Sequence, residues 1–254
     1  MIELSHTIAI LAYNNHDLTI KNIQHLVNNG YKNNILLFDN GSKPSFEKIA
    51  NQYGIRYQRE YTNLYVNPAW NIIFYQEKCE YLTLLNNDCF ILSPHYFQDI
   101  LKHMKNNNIG ISSCKTRNIK ILSKELITNN YFCYHKFFHK ENKKPNIFYG
   151  ARRQGWLMTL NLYQYKKMDF QIPDYLKLWY GDDWIWGQFV LNNIKYGVYK
   201  NRYAVHIKNT TIESSKTFDL LVNEDILNID KFGDWYKIVS PKLHIKSKLF
   251  NKYL

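Results

Sequence analysis

Roughly the first ninety residues alternate short apolar runs with amphipathic segments, and no other feature constrains the fold as strongly. Four apolar runs predict β-strands at residues 7–13, 34–38, 55–61 and 81–85. The segments between them place apolar residues at spacings of three and four, which predicts helices at 17–29, at 46–53 and from Asn67 onward. Strands and helices that alternate in this way form a parallel sheet with right-handed crossovers. The predicted fold class is therefore α/β, with a Rossmann-like, mostly parallel central sheet flanked by helices.

The second half of the chain is less regular. Its patterns predict a helix at 94–106, a strand at 109–114, a strand at 156–160, a helix at 182–191 and a strand or strand pair at 196–206. Residues 115–148 are rich in Lys, Asn and aromatic residues without a clear period, and we expect irregular structure there. Residues 216–254 have a weak helical period and a basic end, which predicts a C-terminal helical extension.

The chain carries a net charge of +12, with 33 Lys and Arg against 21 Asp and Glu. This charge favours anionic partners such as nucleic acid, nucleotide-sugars or an anionic membrane surface, and it does not choose among them. No recognised nucleic-acid-binding motif accompanies the charge, so nucleic acid is not the expected partner. The basic segment 242–252 suits either peripheral contact with a membrane or a solvated terminal helix.

The cysteines indicate a reducing environment. They lie at positions 79, 89, 114 and 133, a spacing that matches no zinc pattern. No signal peptide or membrane-spanning run is recognisable in the sequence. We therefore expect reduced thiols and a cytoplasmic protein, with possible peripheral attachment at the membrane.

Polar residues follow three of the predicted strands at the point where each strand ends. They are Tyr13 and Asn14, then Asp39, and then Asn86-Asn87-Asp88. Ligands of open α/β sheets bind beyond the carboxyl ends of the strands, so these residues are expected to lie together. Carboxylate and amide oxygens two residues apart can bind one Mn²⁺ or Mg²⁺ ion. The alternative interpretation is ordinary turn chemistry, for which Asn, Asp, Gly and Ser are also well suited.

A second acidic site, Gly181-Asp182-Asp183-Trp184, lies much later in the chain. One interpretation is a general base that takes a proton from an acceptor hydroxyl, beside aromatic residues that contact a sugar. The other is a pair of acidic residues that stabilises the first turn of a helix. His206, after the last predicted strand, is either a further metal ligand or a structural histidine. A cation site with a separate carboxylate is what sugar transfer from a nucleoside diphosphate requires.

In their order and spacing these motifs resemble the family 2 inverting glycosyltransferases of the GT-A fold, and most of all their rhamnosyltransferase-like branch. The resemblance covers roughly residues 5–212. In the first half it rests on Ala12-Tyr13-Asn14, Asp39-Asn40-Gly41-Ser42, Asn63, 67–71 and 84–88. In the second half it rests on Gly155-Trp156-Leu157-Met158, Gly181-Asp182-Asp183-Trp184 and His206 with Thr210 and Thr211.

The resemblance implies a role for each of these positions. Asp39 would bind the nucleotide base, and the other donor contacts would be Tyr13, Asn14, Asn67, Asn86 and Asn87. Asp88 would bind the metal, with Asn86 in the place of the family's first aspartate, and His206 would be a metal or phosphate contact. Asp183 would be the catalytic base, with Asp182, where the family usually has Glu, as the other candidate. The acceptor contacts would be Trp156 and Trp184.

The resemblance also implies a domain organisation and an activity. Residues 1–215 would form the GT-A domain, with a nucleotide-sugar-binding half at 1–114 and an acceptor-binding half at 115–215, followed by the basic extension at 216–254. The activity would be inverting transfer from a UDP- or dTDP-sugar to a hydroxyl of a glycan or lipid-linked saccharide, as in polysaccharide biosynthesis. One alternative is a non-catalytic glycan- or nucleic-acid-binding protein on the same fold. A sugar nucleotidyltransferase is disfavoured because 12–17 lacks the glycines of a phosphate loop.

Overall fold

The computed structural model describes residues 5–93, 95–119, 144–151, 155–207 and 216–228. The first part of the chain alternates strands and helices as predicted. Its elements are β1 (His6–Ala12), α1 (His16–Asn28), β2 (Ile35–Asn40), α2 (Glu47–Tyr53), β3 (Arg56–Glu60), α3 (Val66–Gln76) and β4 (Tyr81–Asn86). Each begins within a few residues of its predicted start, and the predicted ends, which were given for all elements except α3, agree equally well.

The second part contains both predicted and unpredicted elements. They are β5 (Cys89–Ile91), α4 (Tyr96–Asn107), β6 (Ile109–Ile119), β7 (Ile147–Tyr149), β8 (Leu157–Asn161), α5 (Leu162–Tyr165), α6 (Gly181–Leu191), β9 (Lys195–Ile207) and α7 (Lys216–Leu227). The prediction of irregular structure at 115–148 was wrong for 115–119 and 147–148. These residues belong to the end of β6 and to β7, because both strands pair with the distant β9. Residues 144–146 are irregular as predicted, and 120–143 lie outside the described residues.

One mixed sheet runs through the described domain, in the strand order β3-β2-β1-β4-β8-β6-β9-β5, with β7 also paired to β9. The first four strands are parallel, as predicted, whereas β8 runs antiparallel to both β4 and β6. The register places Ala12 beside Asp39 and Leu11 beside Asn86. The carboxyl ends of β1, β2 and β4 therefore meet at one edge of the sheet.

Helices cover both faces of this sheet. Side chains alternate along β1, so that Ile8 and Ile10 join one core cluster while Ala9 joins the other. The first cluster includes residues of α1 and α4, and the second includes residues of α3 and α6. Among the described helices, none has both the length and the apolar character that a membrane span requires.

The predicted C-terminal extension is described only at its start. Its first part forms α7, whose Val222 and Asp225 are buried. The basic segment 242–252 lies outside the described residues, so its contact with a membrane stays a prediction.

The buried His6 predicts a pH dependence of stability. Burial lowers the pKa of His6 from 6.5 to about 3, and its Nε2 lies 2.9 Å from Thr83 Oγ1. Between these values the unfolded chain binds a proton that the folded chain does not. We therefore expect the free energy of unfolding to fall as the pH drops below 6.5, by at most about 1.4 kcal/mol per pH unit from this group.

Urea denaturation at pH 7.5 and pH 5 measures this effect. The His6→Asn variant should lose less stability over that interval than the wild type, whereas His95→Asn, at an exposed position, should behave as the wild type. Equal pH dependence in His6→Asn and the wild type would contradict the assignment.

Candidate functional site

The loops after β1 and β2 are joined by hydrogen bonds. The Asn14 backbone N–H donates to Ser42 Oγ at 2.9 Å, and the Lys43 N–H donates to Asn14 Oδ1 at 2.9 Å. Asn14 has a left-handed backbone (φ 51°), which Asn tolerates better than most residues. Tyr13 and Asn14 are half-buried at this junction. The structure therefore brings these two predicted donor contacts to the edge where the sequence placed them.

Asp39 lies beneath this junction and is fully buried. Its Oδ1 accepts the Ser42 N–H at 2.8 Å, and its Oδ2 accepts the Phe46 N–H at 3.1 Å and the Tyr57 hydroxyl at 2.8 Å. Burial and the hydrogen bond to Asp39 raise the pKa of Tyr57 to about 12, so its hydroxyl remains a donor at neutral pH. The carboxylate thus holds the 40–46 loop in place, and a direct contact between Asp39 and a nucleotide base stays a prediction.

The turn at 86–89 is held by two buried side chains of α1. Asn22 Nδ2 donates to the carbonyl oxygens of Asn86, Asn87 and Cys89, at 3.3, 3.3 and 3.0 Å. Asn87 Nδ2 donates to Thr19 Oγ1 at 2.9 Å, so the Asn87 side chain bonds to α1. Sequence reasoning missed Thr19 and Asn22. The sequence pattern that indicates them is a pair of polar residues, three positions apart, on the apolar face of a helix.

Asp88 and His206 meet across the paired strands β5 and β9. The Asp88 Oδ1 and His206 Nε2 atoms are 3.4 Å apart, and both residues are buried. His206 stacks on Trp156, with ring centroids 4.2 Å apart and 12° between the planes. The Ile207 N–H donates to the Asp88 carbonyl at 3.0 Å and fixes the backbone of the pair. Two residues predicted as metal ligands are thus brought together.

Gly155 and Trp156 connect this pair to the second acidic site. The Asn86 N–H donates to the Trp156 carbonyl at 3.0 Å, and the Gly155 N–H donates to Asp182 Oδ2 at 2.9 Å. A Cβ atom at position 155 would lie 2.7 Å from the Trp70 ring and 3.1 Å from Asp182 Cβ, so only glycine fits. The two acidic sites, far apart in sequence, therefore converge.

Asp182 and Asp183 lie half-buried in the first turn of α6. Tyr180, just before them, is left-handed (φ 63°). Burial raises the pKa of Tyr180 to about 12, with further contributions from Asp183, Asp225 and Asp182 in that order. The Tyr180 hydroxyl therefore remains protonated at neutral pH.

Asn67 holds the loop that leads into α6. It is 1% exposed, its N–H donates to the Lys177 carbonyl at 3.0 Å, and its Nδ2 donates to the Trp179 carbonyl at 2.9 Å. Its side chain packs so closely on Gly181 that no Cβ would fit there. This geometry favours a positioning role for Asn67, and its predicted contact with the donor stays a prediction.

The aromatic residues around the acidic pair separate into core and surface. Trp184 and Trp186 are 7% and 1% exposed and belong to the core cluster on the α3 side. This burial disfavours the predicted acceptor contact of Trp184, because the packing of α6 turns its indole inward, and the contact stays a prediction. Trp156 is half-buried, and Trp179 is 43% exposed, so Trp179 is the surface aromatic next to the acidic pair.

The described residues fit a hard divalent cation only if water and substrate phosphates supply the remaining ligands. Within the described part of the chain, no three His, Cys, Asp or Glu residues are grouped to hold a metal. Mg²⁺ in phosphate-transfer and nucleotide sites commonly takes one or two carboxylates and completes its shell with water and substrate phosphates. The 3.4 Å between Asp88 and His206 is longer than a strong charge-assisted hydrogen bond, and it suits two ligands of one ion.

Comparisons with known proteins identify the family and the fold. The family model described as Glycosyl transferase family 2 matches residues 7–164. Similar solved structures include GalNAc-T7 with UDP, GalNAc and Mn²⁺ (14% identity, TM-score 0.61, 94% of this chain and 51% of that chain). Another is the mannosyltransferase PcManGT from Pyrobaculum calidifontis with GDP-Man and Mn²⁺ (12% identity, TM-score 0.62, 98% of this chain and 70% of that chain). A third is S. aureus TarS 1-349 (13% identity, TM-score 0.57, 98% of this chain and 78% of that chain).

At these identities the structural neighbours show the fold, and this chain spans about half the length of the GalNAc-T7 chain. No match was found among curated protein sequences. The family model, in contrast, covers more than half of the chain, and its range includes both the loops at the sheet edge and Gly155-Trp156. The chain therefore belongs to glycosyl transferase family 2 and has the GT-A fold.

Proposed function

We propose that this enzyme transfers a sugar, with inversion, from a UDP- or dTDP-linked donor to a hydroxyl of a glycan or lipid-linked saccharide. The observation that carries the proposal is the convergence of Asp88 and His206 with Asp182 and Asp183 through Gly155-Trp156. We assign the chain to the rhamnosyltransferase-like branch on its motif series alone.

The donor would occupy the edge formed by the loops after β1, β2 and β4. Tyr13 and Asn14 would contact the base and ribose, on a surface held in shape by Asp39. Asp88, with His206 and the nearby Asn86, would hold Mn²⁺ or Mg²⁺ at the diphosphate. When bound, that ion would neutralise the charge that develops on the departing diphosphate. GalNAc-T7 with UDP and Mn²⁺, and PcManGT with GDP-Man and Mn²⁺, support a donor and an ion of this kind.

Asp183 would act as the general base. The acceptor oxygen forms a bond to the anomeric carbon from the face opposite the nucleotide, while the bond from that carbon to the phosphate oxygen breaks. The proton of the acceptor hydroxyl passes to the Asp183 carboxylate. Asp182 Oδ2 accepts the Gly155 N–H, and this bond favours a positioning role for Asp182.

The acceptor would lie against the acceptor-binding half, between Trp156 and the exposed Trp179. Aromatic faces of this kind pack on the apolar faces of sugar rings. A glycan or a lipid-linked saccharide suits such a surface. Peripheral membrane contact through 242–252 and a cytoplasmic location are parts of the same proposal.

Calorimetric titration with UDP, dTDP and GDP, each with and without Mn²⁺, tests the donor site. One nucleotide should bind, and its affinity should fall when Mn²⁺ is absent. Asp88→Asn should abolish this effect of Mn²⁺, because the Asp88 carboxylate supplies the negative charge that binds the ion. Asp17→Asn removes the same charge at an exposed position of α1 and should bind as the wild type. Failure of all three nucleotides to bind would refute the transferase proposal and favour a non-catalytic binding protein.

Asp183→Asn tests the base. We expect the turnover of the donor, measured as released nucleotide, to fall by about 10²- to 10⁴-fold, because the acceptor proton then has no base to receive it. Nucleotide affinity should be unchanged. Asp174→Asn, at an exposed position, serves as the matched control. Near-normal turnover in Asp183→Asn, together with a large loss in Asp182→Asn, would transfer the base role to Asp182.

Asn22→Ala tests the support of the 86–89 turn. Loss of its three hydrogen bonds to this turn should reduce the free energy of unfolding by about 1–3 kcal/mol and weaken the Mn²⁺-dependent part of nucleotide binding. Asn28→Ala removes an exposed amide from the same helix and should change neither quantity. Metal-dependent affinity equal to that of the wild type in folded Asn22→Ala would show that α1 does not position this turn.

A further inference from the structure

The helix α7 contributes a buried carboxylate to the loop that precedes the acidic pair. Asp225 is fully buried, although α7 lies beyond the range matched by the family model. Its Oδ1 accepts the Lys177 N–H at 2.9 Å, and its Oδ2 accepts the N–H groups of Leu178 and Trp179 at 2.7 and 2.8 Å. Three successive backbone donors therefore converge on one side chain.

This arrangement fixes the loop strongly. A buried charge is costly unless it is paired or hydrogen-bonded, and hydrogen bonds to a charged group are stronger than neutral ones. The same three-residue segment is held from the other side by Asn67, which bonds the carbonyls of Lys177 and Trp179. All three N–H groups of the segment, and the C=O groups of Lys177 and Trp179, thus have defined partners.

The position of this segment connects it to the proposed chemistry. Trp179 is the surface aromatic beside the site, and α6, with Asp182 and Asp183 in its first turn, begins two residues later. A displacement of the segment would therefore move both the aromatic surface and the carboxylates.

We propose that Asp225 is a positioning residue for Asp182-Asp183 and Trp179, so that α7 completes the acceptor side of the site. This inference rests on the proposed function. It assigns the start of the C-terminal extension to the catalytic unit, and it distinguishes α7 from a helix that only adds stability.

Asp225→Asn tests the inference because it keeps the size of the side chain but turns an N–H₂ group toward backbone donors. For folded enzyme, we expect kcat for donor turnover to fall by about 10- to 100-fold, since small displacements of catalytic groups are costly. Affinity for the nucleotide, with and without Mn²⁺, should be unchanged. Glu224→Gln changes the same charge at the adjacent exposed residue and should match the wild type. A helix that only adds stability would lower the melting temperature and leave kcat per folded molecule unchanged, which would overturn the inference.

Hydrogen exchange of the wild-type chain provides a second measurement. The amides of 177–179 should be strongly protected, and exchange there as fast as in exposed loops would overturn the inference. If Asp225→Asn does not fold, Asp225→Glu takes its place, because it keeps the charge and displaces the segment. A lowered kcat with unchanged nucleotide affinity supports the inference, and an unchanged kcat overturns it. A wild type that neither binds nor turns over any donor would instead refute the proposed function, whatever the protection of these amides.

Discussion

The antiparallel pairing of β8 with β4 is the interaction on which the candidate site depends. Its register sets Leu85 opposite Leu157, and the next backbone hydrogen bond joins Asn86 to Trp156. Beyond this bond, the Trp156 ring stacks on His206, and the N–H of the adjacent Gly155 donates a hydrogen bond to Asp182. A slip of one residue would turn each side chain to the other face of the sheet and separate the two acidic sites.

Buried polar side chains give the loops of the site their shape. Asn22, Asp39, Asn67 and Asp225 are each almost fully buried, and each bonds the backbone of a loop that carries or flanks a predicted site residue. Buried polar groups destabilise a fold unless their partners are in place, so such networks favour a single arrangement of the loops. The proposed sugar transfer would depend on this kind of rigidity, because it requires the donor and the acceptor to be aligned.

Periodicity predicted the parallel half of the sheet well, as β4 shows: 81–85 was expected and Tyr81–Asn86 is found. It did not reveal β5 or β7, because three residues are too few to show a period and both strands form by pairing with the distant β9. Trp184 shows the same limit within the site. In the sequence, Trp184 stands directly after the acidic pair, where an aromatic side chain is expected to contact a sugar. The packing of α6 instead places it in the core.

The sequence by itself determined the alternation of strands and helices, the polar residues at the strand ends and the carboxylates in the first turn of α6. These features depend on residues a few positions apart, which share a helix face, a strand or a turn. Only the tertiary structure decided that Asp88 lies beside His206, that Asp182 bonds Gly155, and that Asp225 holds the loop before the acidic pair. Each of these contacts joins distant segments, and it exists because strand register and burial bring those segments together.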